Sequence, residues 1–339
     1  MKAALYCTTG LPRVVFHSSY SIFNVNTCFN IRFFVEPAEF IRQTQDMGGS
    51  QSKENAASQT YPELKKPWRE FNWGEKEELQ KRLENFSMNH PEVSNVRILV
   101  AGQIGAGKSS FINSINSAFQ GEIDCEALAD ATAGTSCSFT QRFQTFHISH
   151  KSGKLPFVFG DIMGLEANSL NGLQVDDVIK TISGHVKESY KFKEGKALTS
   201  EDEGYQEKPS VSDQAFCLVY VIAADTVQLA ENSLFNKLKL IRQRISDQGI
   251  PQVIVMTKVD EACPRVKNDL KKIYYSKKIE EKVQFCSNKV GVPITSIFPV
   301  KNYHNEINTN DEVDVLILKA LDQIVRSAEK RIQKGPYSL

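Results

Sequence analysis

The stretch VRILVAGQIGAGKSSFINSINSAFQ, residues 96–120, decides the fold of this chain. It opens on an apolar run, Val96–Ala101, which reads as a buried strand. It closes on a helical pattern in which Phe111, Ile112, Ile115 and Phe119 fall on one face. Between them, residues 102–109 spell G-x-x-x-x-G-K-[ST]. A strand, this loop and a helix in that order form the context in which the motif cradles phosphate. Gly105 and Gly107 allow the backbone to curl so that successive N–H groups point at one anion. The positive end of the helix faces the same oxygens. Lys108 brings a point charge to the β- and γ-phosphates, and the Ser109 hydroxyl is a ligand for Mg²⁺. The expected phosphate-binding residues are Gly102, Gly105, Ala106, Gly107, Lys108, Ser109 and Ser110.

Outward from this loop, strand and helix patterns alternate. RFQTFHIS (142–149) alternates with period two and turns at Ser152-Gly153 into PFVFGD, a hairpin ending at Asp161. AFCLVYVIAAD (215–225) reads as a fully buried strand. A helix follows with Leu234, Leu238, Ile241 and Ile245 inward and Gly249 past its end. QVIVM (252–256) is the next strand, and Ile279, Val283, Cys286 and Val290 mark another helix. ITSIFPV (294–300) is the last strand. The last helix carries Val313, Leu316, Ile317, Ala320, Leu321 and Ile324, with Thr309-x-x-Glu312 as a capping box. Apolar strands alternating with amphipathic helices predict an α/β fold, a mainly parallel sheet with helices on both faces.

Two further motifs stand at strand ends. Asp161-Ile-Met-Gly164 follows PFVFG, so Asp161 can hold the Mg²⁺ shell and the Gly164 N–H can reach the γ-phosphate. Thr257-Lys258-Val259-Asp260 follows QVIVM. A carboxylate there accepts two N–H groups from guanine, a pair that adenine cannot supply, which makes Asp260 the base discriminator. The Lys258 stem can cover the purine face. Thr257 stands where N-K-x-D has asparagine, which predicts weaker bracing of the phosphate loop. Asn302, in Lys301-Asn302-Tyr303 after the last strand, is placed by position on the far side of the base. In ADATAGTSCSFTQ (129–141) a hydroxyl for Mg²⁺ is expected from Thr135, with Thr132 and Thr140 as alternatives. The cofactors read from these motifs are Mg²⁺ and GTP or GDP. The fold expected is thus P-loop GTPase-like, preceded by a disordered or helical N-terminal extension.

Composition narrows the class. The 339 residues carry 41 basic and 40 acidic side chains, a net charge of +1, which gives no field for nucleic acid. No apolar run is long enough to span a bilayer. Seven scattered cysteines without C-x-x-C, several inside apolar runs, read as reduced thiols and a cytoplasmic location. His147 and His150 lack metal-site partners and read as surface residues. Residues 1–66 are expected to be a poorly ordered leader and linker. An acid-poor start to that leader also fits a mitochondrial presequence, although an upstream extension of the reading frame is preferred. MGGSQS (47–52) fits the N-myristoylation pattern. Gly48 is an acceptor, and the membrane a partner, only if translation starts at Met47. Residues 67–90, with Trp68 and Trp73, are expected as a lead-in helix packing on a domain at 91–334. Residues 187–213 are charged and without apolar periodicity, and read as a mobile surface insertion.

The segments PWREFNWGEKEELQKRLENF (67–86), NVRILVAGQIGAGKSSFINSINSAFQG (95–121), DIMGLE (161–166) and TKVDEAC (257–263) resemble the interferon-induced protein 44 and 44-like family. The resemblance covers about residues 67 to 330. It implies an interferon-inducible, cytoplasmic, P-loop GTPase-like protein of innate antiviral defence. It also implies GTP binding at Gly105, Gly107, Lys108, Ser109, Asp161, Gly164, Lys258 and Asp260. Longer members carry an N-terminal β-rich domain that nothing before Trp68 is expected to form. Some members have a degraded base motif, whereas TKVD is readable here.

Catalysis does not follow from the motifs. The glutamine that positions water after D-x-x-G in Ras-like enzymes is Leu165 here, and Glu166 would repel the γ-phosphate. Strong binding with slow or partner-dependent hydrolysis is expected, and no catalytic residue is assigned. Three readings follow: a switch that presents a surface to an unidentified protein, a slow GTPase acting by self-association, and a non-enzymatic scaffold with structural nucleotide.

Overall fold

The computed structural model describes residues 63–88, 90–127, 141–150, 153–167 and 172–335. Residues 1–62 of the expected leader and linker, with Met47 and Gly48, fall outside them, and residues 63–66 fall within. Six strands form one sheet: β1 (Val96–Gly102), β2 (Gln144–His150), β3 (Gly153–Asp161), β4 (Cys217–Ala223), β5 (Gln252–Thr257) and β6 (Ile297–Pro299). Their order is β2-β3-β1-β4-β5-β6, and only β2 runs antiparallel to its neighbour. The chain leaves β1 toward β3 and β2 on one side and returns on the other to β4, β5 and β6. Loops leaving the carboxyl ends of the strands therefore diverge and leave a crevice, the usual ligand position in open α/β sheets.

The apolar runs read from sequence are the strands. All seven residues of β4 are buried, and Tyr220 inside it satisfies its hydroxyl on Gln252 Oε1 at 2.9 Å. Helices α1 (Lys76–Glu84), α2 (Lys108–Gln120), α3 (Val175–Ile182), α4 (Asn232–Ser246), α5 (Val259–Ala262), α6 (Pro264–Asn268), α7 (Lys277–Val290) and α8 (Asp311–Gln333) complete the unit. Among the described residues no helix is long and apolar enough to cross a membrane. The cap of α8 differs from the expected box by one residue: Asn310, not Thr309, accepts from the N–H groups of Glu312 (2.8 Å) and Val313 (3.3 Å).

Residues 63–88 are built into the core. Leu79 and Leu83 are buried, and Arg69 donates to the carbonyls of Ile297 (2.7 Å) and Ile294 (2.6 Å). The Trp68 ring lies 5.1 Å and the Phe71 ring 4.9 Å from Tyr274. Lys76 and Arg82 of α1 pair with the buried carboxylates of Asp314 and Asp322 on α8.

Cys125, Cys217, Cys263 and Cys286 are free thiols, and only Cys125 is exposed. Burial pushes the Cys217 and Cys286 thiols up to about 12. At pH 8 that lowers their thiolate fraction about a thousandfold against an ordinary cysteine. Iodoacetamide on the native protein is expected to alkylate Cys125 and to spare Cys217 and Cys286 until denaturant is added. Peptide mass mapping reads the result, and native labelling of Cys217 would contradict the packing of β4.

Candidate functional site

Five segments meet at the carboxyl edge of the sheet: the loop from β1 to α2, the end of β3, the following Gly164–Glu166, the end of β5, and the segment after β6. The first begins at Gly102, the register partner of Val221 in β4. A Cβ there would sit 2.1 Å from the Val221 carbonyl oxygen, so only glycine lets β1 approach β4 before the chain curls. Gly105 (φ 69°) and Gly107 (φ 87°) take the left-handed backbone that the curl needs. Lys108, 6% exposed, brings Nζ to 3.4 Å from the Gln103 carbonyl. The Ala106 N–H is turned into the loop, onto Gln103 O at 3.2 Å, and Ser110 offers its carbonyl to Ser114 Oγ at 2.7 Å.

Ser109 Oγ donates to Asp161 Oδ2 at 2.7 Å, and both residues are more than nine-tenths buried. Two of the three expected Mg²⁺ ligands are therefore in contact. They offer only hard oxygen donors, the set that suits Mg²⁺ when phosphates complete the shell. No group of three or more His, Cys, Asp or Glu side chains able to hold a metal exists among the described residues. Thr132, Thr135 and Thr140 lie outside the described residues.

Gly164 lies against the phosphate loop, where a Cβ would meet Ile104 Cγ1 at 2.5 Å and Ile104 N at 2.9 Å. The next residue locks the contact, for Leu165 N–H donates to the Gly102 carbonyl at 2.9 Å. The Leu165 side chain is wholly buried. Glu166 gives its carbonyl to Lys237 Nζ of α4 at 2.6 Å, and burial lowers the Lys237 ammonium from its ordinary value.

The base motif is tied to the phosphate loop. Thr257 is wholly buried, and its hydroxyl donates to the Ala106 carbonyl at 2.6 Å. The brace expected to be weak is a short bond. Asn302 adds a second, from Nδ2 to the Gly107 carbonyl at 3.1 Å. The Asn302 amide nitrogen is thus directed at the phosphate loop, a role its position after β6 did not announce. The next residue continues the link: Tyr303 N–H donates to Ser114 Oγ on α2 at 3.0 Å. Lys258 adopts φ 54°, one of two non-glycine residues with positive φ among the described residues. Such a conformation costs about 1–2 kcal/mol and persists only where the surroundings hold it. It sets the turn into α5, whose first turn carries Asp260, half-buried.

Sequence reasoning found the phosphate loop, Asp161, Gly164 and the base motif, and the fold brings them to one edge. It missed Lys237, one of several basic residues on an amphipathic helix with no motif around it. It missed α3 as well, although Asp176 and Asp177 ahead of Val178 and Ile182 carry the signature of a helix start.

Comparison with known proteins gives consistent relatives. The chain is 30% identical over 246 residues to human interferon-induced protein 44-like, covering 72% of this chain and 54% of that protein. It is 32% identical over 248 residues to human interferon-induced protein 44, covering 72% and 55%. The mouse interferon-induced protein 44 is also 32% identical over 248 residues, covering 73% and 58%. The chain therefore spans about half the length of the curated relatives it matches. No family model matches it.

Proposed function

This chain belongs to the interferon-induced protein 44 and 44-like family, and from that premise we propose that it is a guanine-nucleotide-binding protein of the interferon-induced, innate antiviral response. One observation carries the reading: Thr257 Oγ1 holds the Ala106 carbonyl at 2.6 Å across 151 residues of sequence. That bond supports reading a phosphate loop and a base motif so far apart in the chain as parts of one site. Gly105, Gly107, Lys108 and Ser110 take the phosphates, with Gly164 at the γ-position. Lys258 and Asp260 take the guanine, and Thr257 and Asn302 hold the loop behind it. Mg²⁺, held by Ser109 and Asp161, would neutralise charge on the β- and γ-phosphates.

Hydrolysis is slow or partner-dependent on this reading. Leu165 is buried and turns no polar atom toward a water. That same burial supports a second reading, a non-enzymatic scaffold in which the nucleotide is structural. Equal affinity for GTP and GDP without turnover favours the scaffold, because a ligand without preference shifts no equilibrium. A cytoplasmic protein acting on a protein partner or on a second copy of itself fits either reading.

Calorimetry with Mg-GTP and Mg-ATP tests the proposal. GTP is expected to bind at least about a hundredfold more tightly, the scale of a site whose buried acceptor is left unpaired by the wrong base. Asp260→Asn removes the double acceptor and offers a donor, so preference should move from GTP to XTP. Equal binding of ATP and GTP by the wild type, or no heat with either, defeats the proposal.

A further inference from the structure

Residues 187–213 stand between α3 and β4 and, despite their lack of apolar periodicity, form a packed body. Phe192 is 4% exposed and Leu198 is fully buried. A Cβ on Gly204 would lie 2.0 Å from the Tyr190 ring, and His185 stacks on Tyr205 at 5.0 Å with the rings nearly parallel. Turns, short bridges and a single 3-10 turn at Val211–Asp213 hold it together.

Two sets of its outgoing bonds bear on the site. One set reaches residues 141–145, the start of β2. Phe143 N–H donates to Tyr190 O at 2.9 Å, Ser189 N–H to Phe143 O at 2.8 Å, and Phe192 N–H to Gln141 O at 3.0 Å. Arg142 Nη1 donates to Ser189 O at 2.8 Å, and Thr145 N–H to Glu188 Oε1 at 2.8 Å. Gln144 within that stretch is the register partner of Asp161. The other set reaches α3. Leu198 N–H donates to the buried carboxylate of Asp177 at 2.7 Å, and Lys180 Nζ donates to the Leu198 carbonyl. The chain ahead of α3 is bonded to Gly164, whose carbonyl accepts from Leu173 N–H at 3.1 Å. The pivot is Ser189, the second non-glycine residue with positive φ, at 63°. A strained residue that both donates to and accepts from the start of β2 is over-determined by its surroundings, as strained functional positions are.

We propose that residues 188–198 are a positioning element that ties the strand beside Asp161 to the helix after Gly164, so that the two γ-phosphate-facing segments move together and the insertion surface changes with the nucleotide bound. This deepens the nucleotide reading and rests on it. A device of this kind works only if the two nucleotides interact differently with its two states. The difference here is the γ-phosphate, which would reach Gly164 directly and Asp161 through Mg²⁺, and nothing in the insertion itself. Glu188, Ser189 and Asp177 touch no nucleotide; they act through the segments they hold.

Hydrogen exchange on the full chain, with Mg-GDP and then with Mg and a non-hydrolysable GTP analogue, reads the coupling. Amide exchange in residues 187–199 is expected to slow about tenfold with the triphosphate relative to GDP. Glu188 is exposed, so Glu188→Ala should fold normally, keep its affinity for GDP and lose about fivefold in preference for the triphosphate, the low end of coupling between sites. Asp177→Ala should do the same, and Asp177→Asn, which retains the oxygen that accepts from Leu198, should restore the preference. Identical exchange in 187–199 with both nucleotides overturns the proposal, as does an equal loss of GDP and triphosphate affinity in Glu188→Ala. If the wild type binds neither nucleotide, the phosphate-site reading has failed and takes this one with it. Binding without coupling removes this one alone.

Discussion

Lys108→Ala is expected to lower affinity for Mg-GTP by about a hundredfold while leaving the nucleotide-free protein as stable as before. The loss follows from removing a charge-assisted hydrogen bond to phosphate, worth about 1.5–3 kcal/mol, in a site shielded from water. The unchanged stability follows from the cost of the residue. Lys108 is 6% exposed, and its ammonium rests 3.4 Å from a loop carbonyl. Desolvating a cation is costly, and that cost offsets what its bonds within the loop contribute to folding. The two effects separate in a thermal shift experiment. Nucleotide at a hundred times its dissociation constant adds about 2.7 kcal/mol of stability to the wild type. For a unit of this size that raises Tm by roughly 5–10 °C. The variant should melt where the free wild type does, with or without nucleotide. A variant that melts much lower without nucleotide would instead make Lys108 a structural residue.

Gly102→Ala should have the largest effect on folding of any single methyl added to the site. The new Cβ would stand 2.1 Å from a backbone oxygen of β4. No side chain can swing aside, so two central strands must part. Overpacking a core costs about 1–3 kcal/mol where side chains can adjust. A backbone clash at the centre of the sheet should exceed that, against a total stability of about 5–15 kcal/mol. Gly105→Ala is the matched control. Nothing lies within 4 Å of its Cβ position, and only φ 69° opposes the change, a penalty of about 1–2 kcal/mol. Thermal denaturation should therefore show Gly105→Ala melting a few degrees below wild type and Gly102→Ala melting far lower or failing to fold. Equal melting temperatures would mean that β1 and β4 are not so close.

The contrast between these glycines shows how far the sequence could be read. The motif marks both, but it does not say that one is required by a neighbouring strand and the other by its own backbone angle. Strands were legible because burial on both faces leaves continuous apolar runs such as that of β4. The site was legible where a local loop performs the chemistry. It was not where the needed atom comes from a distant element: Thr257 bracing Ala106, Asn302 bracing Gly107 and Lys237 holding Glu166 follow from topology, and their neighbours in sequence give no sign of it. Residues 187–213 escaped for another reason. Their order comes from turns, a stacked ring pair and a buried carboxylate, none of which leaves a period.

The pairing of α1 with α8 bears on where this protein can be cut. Asp314 is fully shielded and Asp322 nearly so, and their cationic partners Lys76 and Arg82 come from the other side of any division placed just ahead of β1. Severing there would take from Asp314 its cation, leaving it the Tyr303 hydroxyl, a loss of about 3–5 kcal/mol; it would take from Asp322 one of two cations, leaving it Arg326, and would also bare the ring of Tyr274. The smallest autonomous piece must accordingly reach back past Trp68, making the aromatic prologue a structural part of the sheet-bearing body and no detachable handle.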